Sequence, residues 1–481
     1  MYSSGFVLTL RRVCLLVLVA GLSACPRGAA PPEARPNIVV VLIDTLRRDH
    51  LSTYGYDRTT TPFIDSLSAN GLVFDDAVSQ APWTGASMAS LWTSRYPSEV
   101  GGTIRPDEDG VRFLGRTASE NLTRTVPTLA ELLRSEGYRT IAVLANGYAG
   151  ASLGLLRGFD SRWQKRVSAD KLTDAAIEKL DAEGDTPGDR PFFLYLHYID
   201  THEPLQPPEP YASLFATGKA EPHDWTLRGW RFDKRSDDRT TPEFTRFRDH
   251  KLALYDGAIR FVDAQVQRLA EHIEKRGDGD DTVFVIASDH GEEFWDHAEF
   301  QKDVHLDPRG IAGVGHGHSL FAELTGVPLV LHGPGVPKGR VRELVRNIDL
   351  APSLLGLAGL EGPPPSMRGI DLVEAVRAGS IPTLSAYTEN IAYGPEAQSL
   401  QAAGFKLIRY TDARTPRKEF LFDLTADPAE RQDVADEHPD TAKQLRTKLE
   451  ETVATLAPGP RPTSVIDEET AEQLRALGYM E

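Results

Sequence analysis

The sequence predicts an α/β protein: a three-layer core on a largely parallel mixed sheet, followed by a smaller α+β subdomain. Three observations lead there. Apolar runs without polar alternation recur along the chain (IVVVLI at 38–43, PFFLYLHYI at 191–199, TVFVIAS at 282–288), as strands buried on both faces require. Segments with helical spacing separate them. Past about Ile381 the runs become short, in the manner of antiparallel strands.

The first strand is IVVVLI. Pro62 to Asn70 reads as a helix, with proline in its first turn and Gly71 beyond its end. A second helix spans Pro127 to Ser135 and closes at Gly137, and the strand RTIAVLAN follows it. After the strand ending at Ile199, residues 204–249 are polar and rich in Pro and Arg without a clear period, which predicts an excursion over the active-site face. Helical spacing from about His250 to Lys275 ends near Gly277, and VPLVLHG at 327–333 is another strand. Beyond Ile381, LSAYTEN, FKLIRYTD and KEFLFDLTAD read as short strands, then come a polar helix from His438 to Leu456 and a last helix ending at Leu477-Gly478.

The 481 residues are 40% hydrophobic and 8% aromatic, the balance of an ordinary globular enzyme. A net charge of -17 argues against a nucleic-acid surface, which calls for clustered Lys and Arg. An anionic ester stays open as a substrate, because a bound cation reverses the local field. At the N-terminus, Arg11 and Arg12 precede an apolar run from Val13 to Ala24, an export signal too short to span a bilayer well. Leu22-Ser23-Ala24-Cys25 resembles the lipobox of bacterial lipoproteins. That resemblance implies acylation of Cys25 and a chain anchored by lipid to the membrane of the bacterial cell envelope; the plainer alternative is a simple cleavage site nearby. Cys14 would leave with the signal, so the mature chain would hold no thiol for a disulfide or a thiolate site. The predicted organisation is therefore a signal peptide at 1–24, a Pro-rich tether at 25–36, a catalytic domain at 37–380 and an α+β subdomain at 381–481.

Two buried runs stop at metal-ligand chemistry. Asp44 closes the first strand, and Asp289-His290-Gly291-Glu292 follows TVFVIAS. Ligands of open α/β sheets bind beyond the carboxyl ends of strands. Each residue has a plainer role, Asp44 as a helix cap and His290 as a satisfied histidine. If the two strands are neighbours, Asp44, Asp289 and His290 converge. Two carboxylates and one imidazole suit Zn²⁺ or Mn²⁺, and suit Ca²⁺ less well. Thr84 adds a hydroxyl at a loop-to-helix junction, ahead of the small residues Gly85, Ala86, Ser87, Ala89 and Ser90. Coordination to the ion would activate it and complete a four-ligand site. Ser87, one turn on, is the competing nucleophile.

The segments NIVVVLIDTLRRDHL at 37–51, APWTGASMASLWTSRYP at 81–97 and TVFVIASDHGEEF at 282–294 resemble the sulfatase family of the alkaline-phosphatase superfamily. LHYIDTHEPL, GHGHSLFAELTGVPLVLHGPG, FDLTADPAE and the terminal LRALGY extend the likeness from about Pro36 to the end of the chain. It implies an alkaline-phosphatase-like core and metal-dependent hydrolysis of sulfate or phosphate mono- or diesters. The ester would belong to a glycan, a lipid or a small molecule. The family's sulfate-ester hydrolases convert the Cys or Ser of C/S-x-P-x-R to formylglycine. Here Thr84 stands at that position, Ala86 replaces the proline and Met88 the arginine, so no formylglycine is expected. Thr45 replaces the second of the family's paired aspartates. The remaining set of Asp44, Thr84, Asp289 and His290 is similar to the one-metal site of envelope phosphoethanolamine and glycerophosphate transferases, which use an unmodified Thr.

A sulfated Thr lacks the elimination route of a formylglycine hydrate, whereas a phosphorylated Thr is relieved by in-line attack at phosphorus. The residue thus leans toward phosphate esters and the family toward sulfate esters. The resemblance also implies that His202 binds the anion or protonates the leaving oxygen, that His316 or His318 contacts the ester oxygens, and that Asn146 touches substrate. His197 is a further substrate contact, its plain alternative being a buried histidine bonded to a carbonyl. Arg47 would offer charge to the ester, or pair with a surface acid. Glu292 and Glu293 read as loop groups, and His297 and His305 as residues of a polar loop. The rival functions are an envelope phospho-group transferase and a catalytically silent binding protein of the same fold.

Overall fold

A computed structural model of the chain describes residues 35–106, 111–114, 119–182, 190–216, 239–298, 309, 313–360, 362–411 and 419–457. The expected signal peptide, Cys25, nearly all of the tether, His305 and the last helix lie outside the described residues.

Eight strands form the central sheet: β1 Asn37–Ile43, β2 Leu72–Val78, β3 Arg139–Leu144, β4 Ser161–Gln164, β5 Phe192–Tyr198, β6 Thr282–Ala287, β7 Gly326–His332 and β8 Gly339–Arg346. Their order across the sheet is β8-β2-β7-β6-β1-β5-β3-β4, and β7 alone runs against the others. The expected mixed, largely parallel sheet is present. β1 lies between β5 and β6, with Leu42 level with His197 on one side and Ala287 on the other. That register brings the ends of three buried strands to one edge.

Both faces of the sheet are covered. Ile38, Val40 and Leu42 point into a core with helices α2 (Thr84–Thr93), α3 (Leu129–Ser135) and α6 (Leu350–Leu357); Val39, Val41 and Ile43 point to the other side, against α1 (Pro62–Asn70), α4 (Ala169–Asp181) and α5 (Pro242–Arg276). Strand alternation makes the division, since successive side chains face opposite ways. Helix ends follow local chemistry. The Asp263 carboxylate accepts from the N–H groups of Phe63 and Ile64 at 3.0 and 2.9 Å, which caps α1 from α5. Thr128 and Glu131 form a capping box that starts α3 at Leu129, two residues later than expected. Gly277, at φ 89°, ends α5 as a left-handed cap.

The C-terminal part holds a four-stranded antiparallel sheet of β9 (Ala386–Thr388), β10 (Ala397–Ala402), β11 (Phe405–Tyr410) and β12 (Glu419–Asp423), in that order. Helix α7 (Pro439–Ala454) packs on it through Leu445 and Leu449 against Leu400, Leu407 and Leu421.

Four strands of the two larger sheets escaped the sequence reading, as did helices α4 and α6 and the start of α5. β2 carries Asp75 and Asp76 within the strand, paired with Arg340 and Arg48. β8 is an edge strand whose Arg340, Arg342 and Glu343 face solvent, β10 is half polar, and β4 is only four residues long. None of them shows an apolar run. Helix α5 begins at Pro242, inside the stretch expected to be irregular, because Thr241 caps it and Phe244 and Phe247 pack on Trp295 with ring centroids 5.2 and 5.7 Å away. Among the described residues no helix is long and apolar enough to cross a membrane.

Candidate metal and nucleophile site

Asp44, His197, Asp289 and His290 meet where β1, β5 and β6 end, all fully buried. His197 Nε2 is 3.5 Å from Asp44 Oδ2 and 4.0 Å from Asp289 Oδ2; His290 Nε2 is 3.4 Å from Asp289 Oδ2 and 3.8 Å from Asp44 Oδ1. The chain leaves β1 through Thr45, a β-branched residue held at φ 55°, a conformation that costs about 1–3 kcal/mol. Three contacts hold it there. Its N–H donates to Asp289 Oδ1 at 3.3 Å, its hydroxyl to the Thr201 carbonyl at 2.9 Å, and its carbonyl accepts from the Tyr255 hydroxyl at 2.7 Å. Gly291 is required for a different reason. A Cβ there would meet the Glu323 carbonyl oxygen at 1.9 Å, so the loop after His290 can pack only without a side chain.

Thr84 opens the wholly buried helix α2, at the end where backbone N–H groups favour negative charge. Its Oγ1 lies 3.2 Å from His290 Nε2 and accepts from Asn146 Nδ2 at 3.2 Å. The same Nδ2 donates to Asp44 Oδ2. Asn146 is oriented by its other end, where Oδ1 accepts from the Tyr148 N–H at 2.8 Å. His290 Nδ1 donates to the Gly291 carbonyl at 2.9 Å, which leaves the Nε2 lone pair facing Thr84 and the acids. Ser87 is occupied elsewhere, its hydroxyl donating to the Asp289 carbonyl at 2.7 Å.

The electrostatics are those of a charged cluster taken out of water. Burial works to raise the Asp44 pKa, but the close approach of His197 and the fields of His202 and His290 outweigh it and hold the carboxyl below the usual range. Asp289 moves the other way, raised by burial and by Asp44 beside it against the pull of His290. Burial lifts Glu292 to about 7 and pushes His202 and His316 down. The rings of His290 and His316 are 4.5 Å apart, and those of His316 and His202 are 4.9 Å apart.

The donor set fits a cation. Asp44 Oδ1, Asp289 Oδ2 and His197 Nε2 are buried without a hydrogen-bond partner, and one ligand atom from each of the three residues lies within 4.8 Å of the others. Buried polar atoms are normally paired, and two adjacent carboxylates repel. A positive ion removes both penalties.

The sulfatase family profile matches residues 36–360, and the profile named N-sulphoglucosamine sulphohydrolase, C-terminal, matches residues 317–457. The chain belongs to the sulfatase family. A Delta 4,5-hexuronate-2-O-sulfatase of Bacteroides thetaiotaomicron is 22% identical to this sulfatase-family chain over 462 residues, covering 86% of it and 87% of the relative. The crystal structure of i-CgsB with k-i-k-neocarrahexaose superimposes with a TM-score of 0.66 at 21% identity, over 92% of this chain and 98% of that one. A phosphonate monoester hydrolase of Agrobacterium radiobacter gives 0.65 at 19%, over 88% and 96%. These structures show that the fold is shared. The protein is a sulfatase-family hydrolase, and the family uses a divalent metal.

Within this family member, Asp44, Thr84, Asn146, Asp289 and His290 stand together as the sequence predicted, and His202 and His316 flank them. Four expectations need correction. Arg47 has no donor to spare for an ester. All five of its N–H groups are used, on Asp49 (2.9 and 2.8 Å), Asp296 (2.8 and 3.5 Å) and the Glu292 carbonyl (3.1 Å). His318 has both ring nitrogens engaged, Nε2 with Glu293 at 2.8 Å and Nδ1 with Arg309 at 3.5 Å. His197 is bonded to no carbonyl: its Nδ1 meets the Tyr195 hydroxyl at 2.6 Å, and its Nε2 enters the acid cluster. One sign of that was in the sequence, since Tyr195 and His197 are two apart on one strand and so share a face. His297, expected in a polar loop, is buried and paired with Glu323.

Proposed function

We propose that this hydrolase cleaves a sulfate or phosphate mono- or diester through an unmodified Thr84, with one divalent cation held by Asp44, Asp289 and His290. One observation carries the proposal. The Thr84 hydroxyl lies at the positive end of a helix, 3.2 Å from both Asn146 Nδ2 and His290 Nε2, beside buried acid oxygens that have no protein partner. A divalent cation in such a cluster supplies Lewis-acid chemistry, easing loss of a nearby hydroxyl proton and neutralising the ester oxygens.

The chain's own groups do the rest. Asn146 orients Thr84 Oγ1 for in-line attack, forming an O–P or O–S bond as the bond to the leaving oxygen breaks. His202 or His316, protonated once the anionic ester raises its pKa against the pull of burial, passes that proton to the leaving oxygen. Water then attacks the Thr84 ester, releasing the anion and restoring the hydroxyl. The absence of a hydrated aldehyde favours phosphate esters. The named relatives, a hexuronate sulfatase among them, favour a sulfated glycan as the alternative. Lipid anchoring through Cys25 at the cell envelope belongs to the same proposal, supported by the LSAC segment.

A panel of aryl sulfate, phosphate monoester and phosphate diester tests the reaction. Turnover of the phosphate esters should exceed that of the sulfate and vanish on metal removal. Turnover of the sulfate alone overturns the phosphate preference, and silence across the panel favours a binding protein.

A further inference from the structure

The cluster contains one nitrogen more than the proposed ligand set uses. His197 enters it from β5, and its Nε2 is buried without a hydrogen-bond partner between Asp44 Oδ2 at 3.5 Å and Asp289 Oδ2 at 4.0 Å. His290 Nε2 lies 3.8 Å from the other Asp44 oxygen, Oδ1, and 3.4 Å from Asp289 Oδ2. A tetrahedral ion with bonds of ~2.1 Å keeps its ligand atoms roughly 3.4 Å apart. Asp44, His197 and Asp289 each offer an atom within 4.8 Å of the others, and His290 Nε2 reaches the same two acids. We propose that His197 is a direct ligand of the cation, that the Tyr195 hydroxyl positions it, and that the resulting set of two imidazoles and two carboxylates selects a nitrogen-preferring ion such as Zn²⁺ over Ca²⁺. The inference rests on the reading of this cluster as a cation site.

Tyr195 is fully buried, and its hydroxyl meets His197 Nδ1 at 2.6 Å. A neutral imidazole carries one proton. With that proton on Nδ1, the phenol oxygen accepts it and Nε2 turns a lone pair toward two carboxylates. That arrangement is repulsive without a cation and favourable with one. Partners on the far ring nitrogen of a ligating histidine fix its tautomer and orientation, and losing one commonly costs 10–100-fold in metal affinity. The oxygen count disfavours Ca²⁺, which takes six to eight oxygen ligands. Thr84 Oγ1 would add one oxygen at most, and Thr45 adds none, because its hydroxyl is turned to the Thr201 carbonyl.

The test is metal binding by the full chain, with no substrate present. After stripping with a chelator, wild type, His197→Gln and Tyr195→Phe are titrated separately with Zn²⁺ and Ca²⁺ against a competing chromophoric chelator, and their thermal unfolding is compared. Wild type should bind Zn²⁺ far more tightly than Ca²⁺. His197→Gln should lose about 10–100-fold in Zn²⁺ affinity and little for Ca²⁺, and Tyr195→Phe should lose about 10-fold. X-ray absorption at the zinc edge should count two imidazoles in wild type and one in His197→Gln. A count of one in wild type overturns the proposal even if the variants fail to fold. So does unchanged Zn²⁺ affinity in a folded His197→Gln. Both of those results leave the cation site standing, whereas wild type that binds neither ion removes the site and this inference together.

Discussion

Two clusters of buried acids and histidines lie close together in this protein, and only one of them is unsatisfied. In the first, Asp44, His197, Asp289 and His290 converge with an oxygen of each acid and a nitrogen of His197 left without partners. In the second, every visible approach is a bond. His297 Nδ1 meets Glu323 at 2.8 Å and its Nε2 donates to the Glu430 carbonyl at 3.0 Å, while Glu293 accepts from the His297 N–H at 2.9 Å and meets His318 at 2.8 Å. His297 also stacks on Phe321, with ring centroids 3.9 Å apart and planes within 3°. Residue types and burial are alike. The difference is saturation: a cluster that satisfies itself holds structure together, and one that does not is shaped for something it lacks.

The contrast predicts opposite responses to substitution. Thr84→Ala should lower turnover by about 10³-fold or more at unchanged melting temperature, because it removes the attacking atom and little packing. His297→Ala should do the reverse. Removing one partner of a buried pair costs about 3–5 kcal/mol, so stability falls while kcat per folded molecule stays within a few-fold. Kinetics beside thermal unfolding for the two variants separate these outcomes, and equal losses of kcat would erase the distinction. Chelation is next in size. Stripping metal should abolish activity and lower the melting temperature in wild type, with Zn²⁺ restoring both, because a ligand of the native state stabilises it by mass action.

A pH series probes the saturated cluster more finely. Burial alone would lower the His297 pKa, but the Glu323 carboxylate overrides it and raises the value to about 9. A histidine whose native pKa lies above its unfolded value of ~6.5 contributes fully below that pH and loses its contribution as pH climbs through about 9. The melting temperature should therefore fall between those values in wild type, and the slope should flatten in Glu323→Gln. An identical slope in that variant would assign the titration elsewhere. The smallest effect belongs to Arg47→Lys, which loses the fork to Asp49 and Asp296: about 1–3 kcal/mol of stability with KM unchanged. A rise in KM would restore Arg47 as a substrate contact.

Much of the centre was legible because burial on both faces writes itself as an apolar run. β1, β5 and β6 announced themselves in that way, and they are the strands that end at the site. Pro62 and Gly71 marked the bounds of α1 with no error. Edge and polar strands left no such mark: β8 alternates charge with apolar residues, and β2 hides Asp75 and Asp76 in ion pairs that span the sheet edge. At the site, ligand types at strand ends were readable, and so was the hydroxyl of Thr84 at a loop-to-helix junction. Which histidines face the cluster depends on partners remote in sequence. Glu293 and Arg309 draw His318 away, and no spacing rule shows that.

The central claim is that an unaltered threonine hydroxyl forms the covalent ester. It is tested most directly by acid-quenching the enzyme during turnover of a phosphate or sulfate ester and mapping the peptide that contains residue 84 by mass spectrometry. The account predicts a threonine of unmodified mass before substrate, a phospho- or sulfo-ester on Thr84 during turnover, and neither adduct nor turnover in Thr84→Ala. Steady turnover with residue 84 bare throughout, or an adduct that persists in Thr84→Ala, would contradict it.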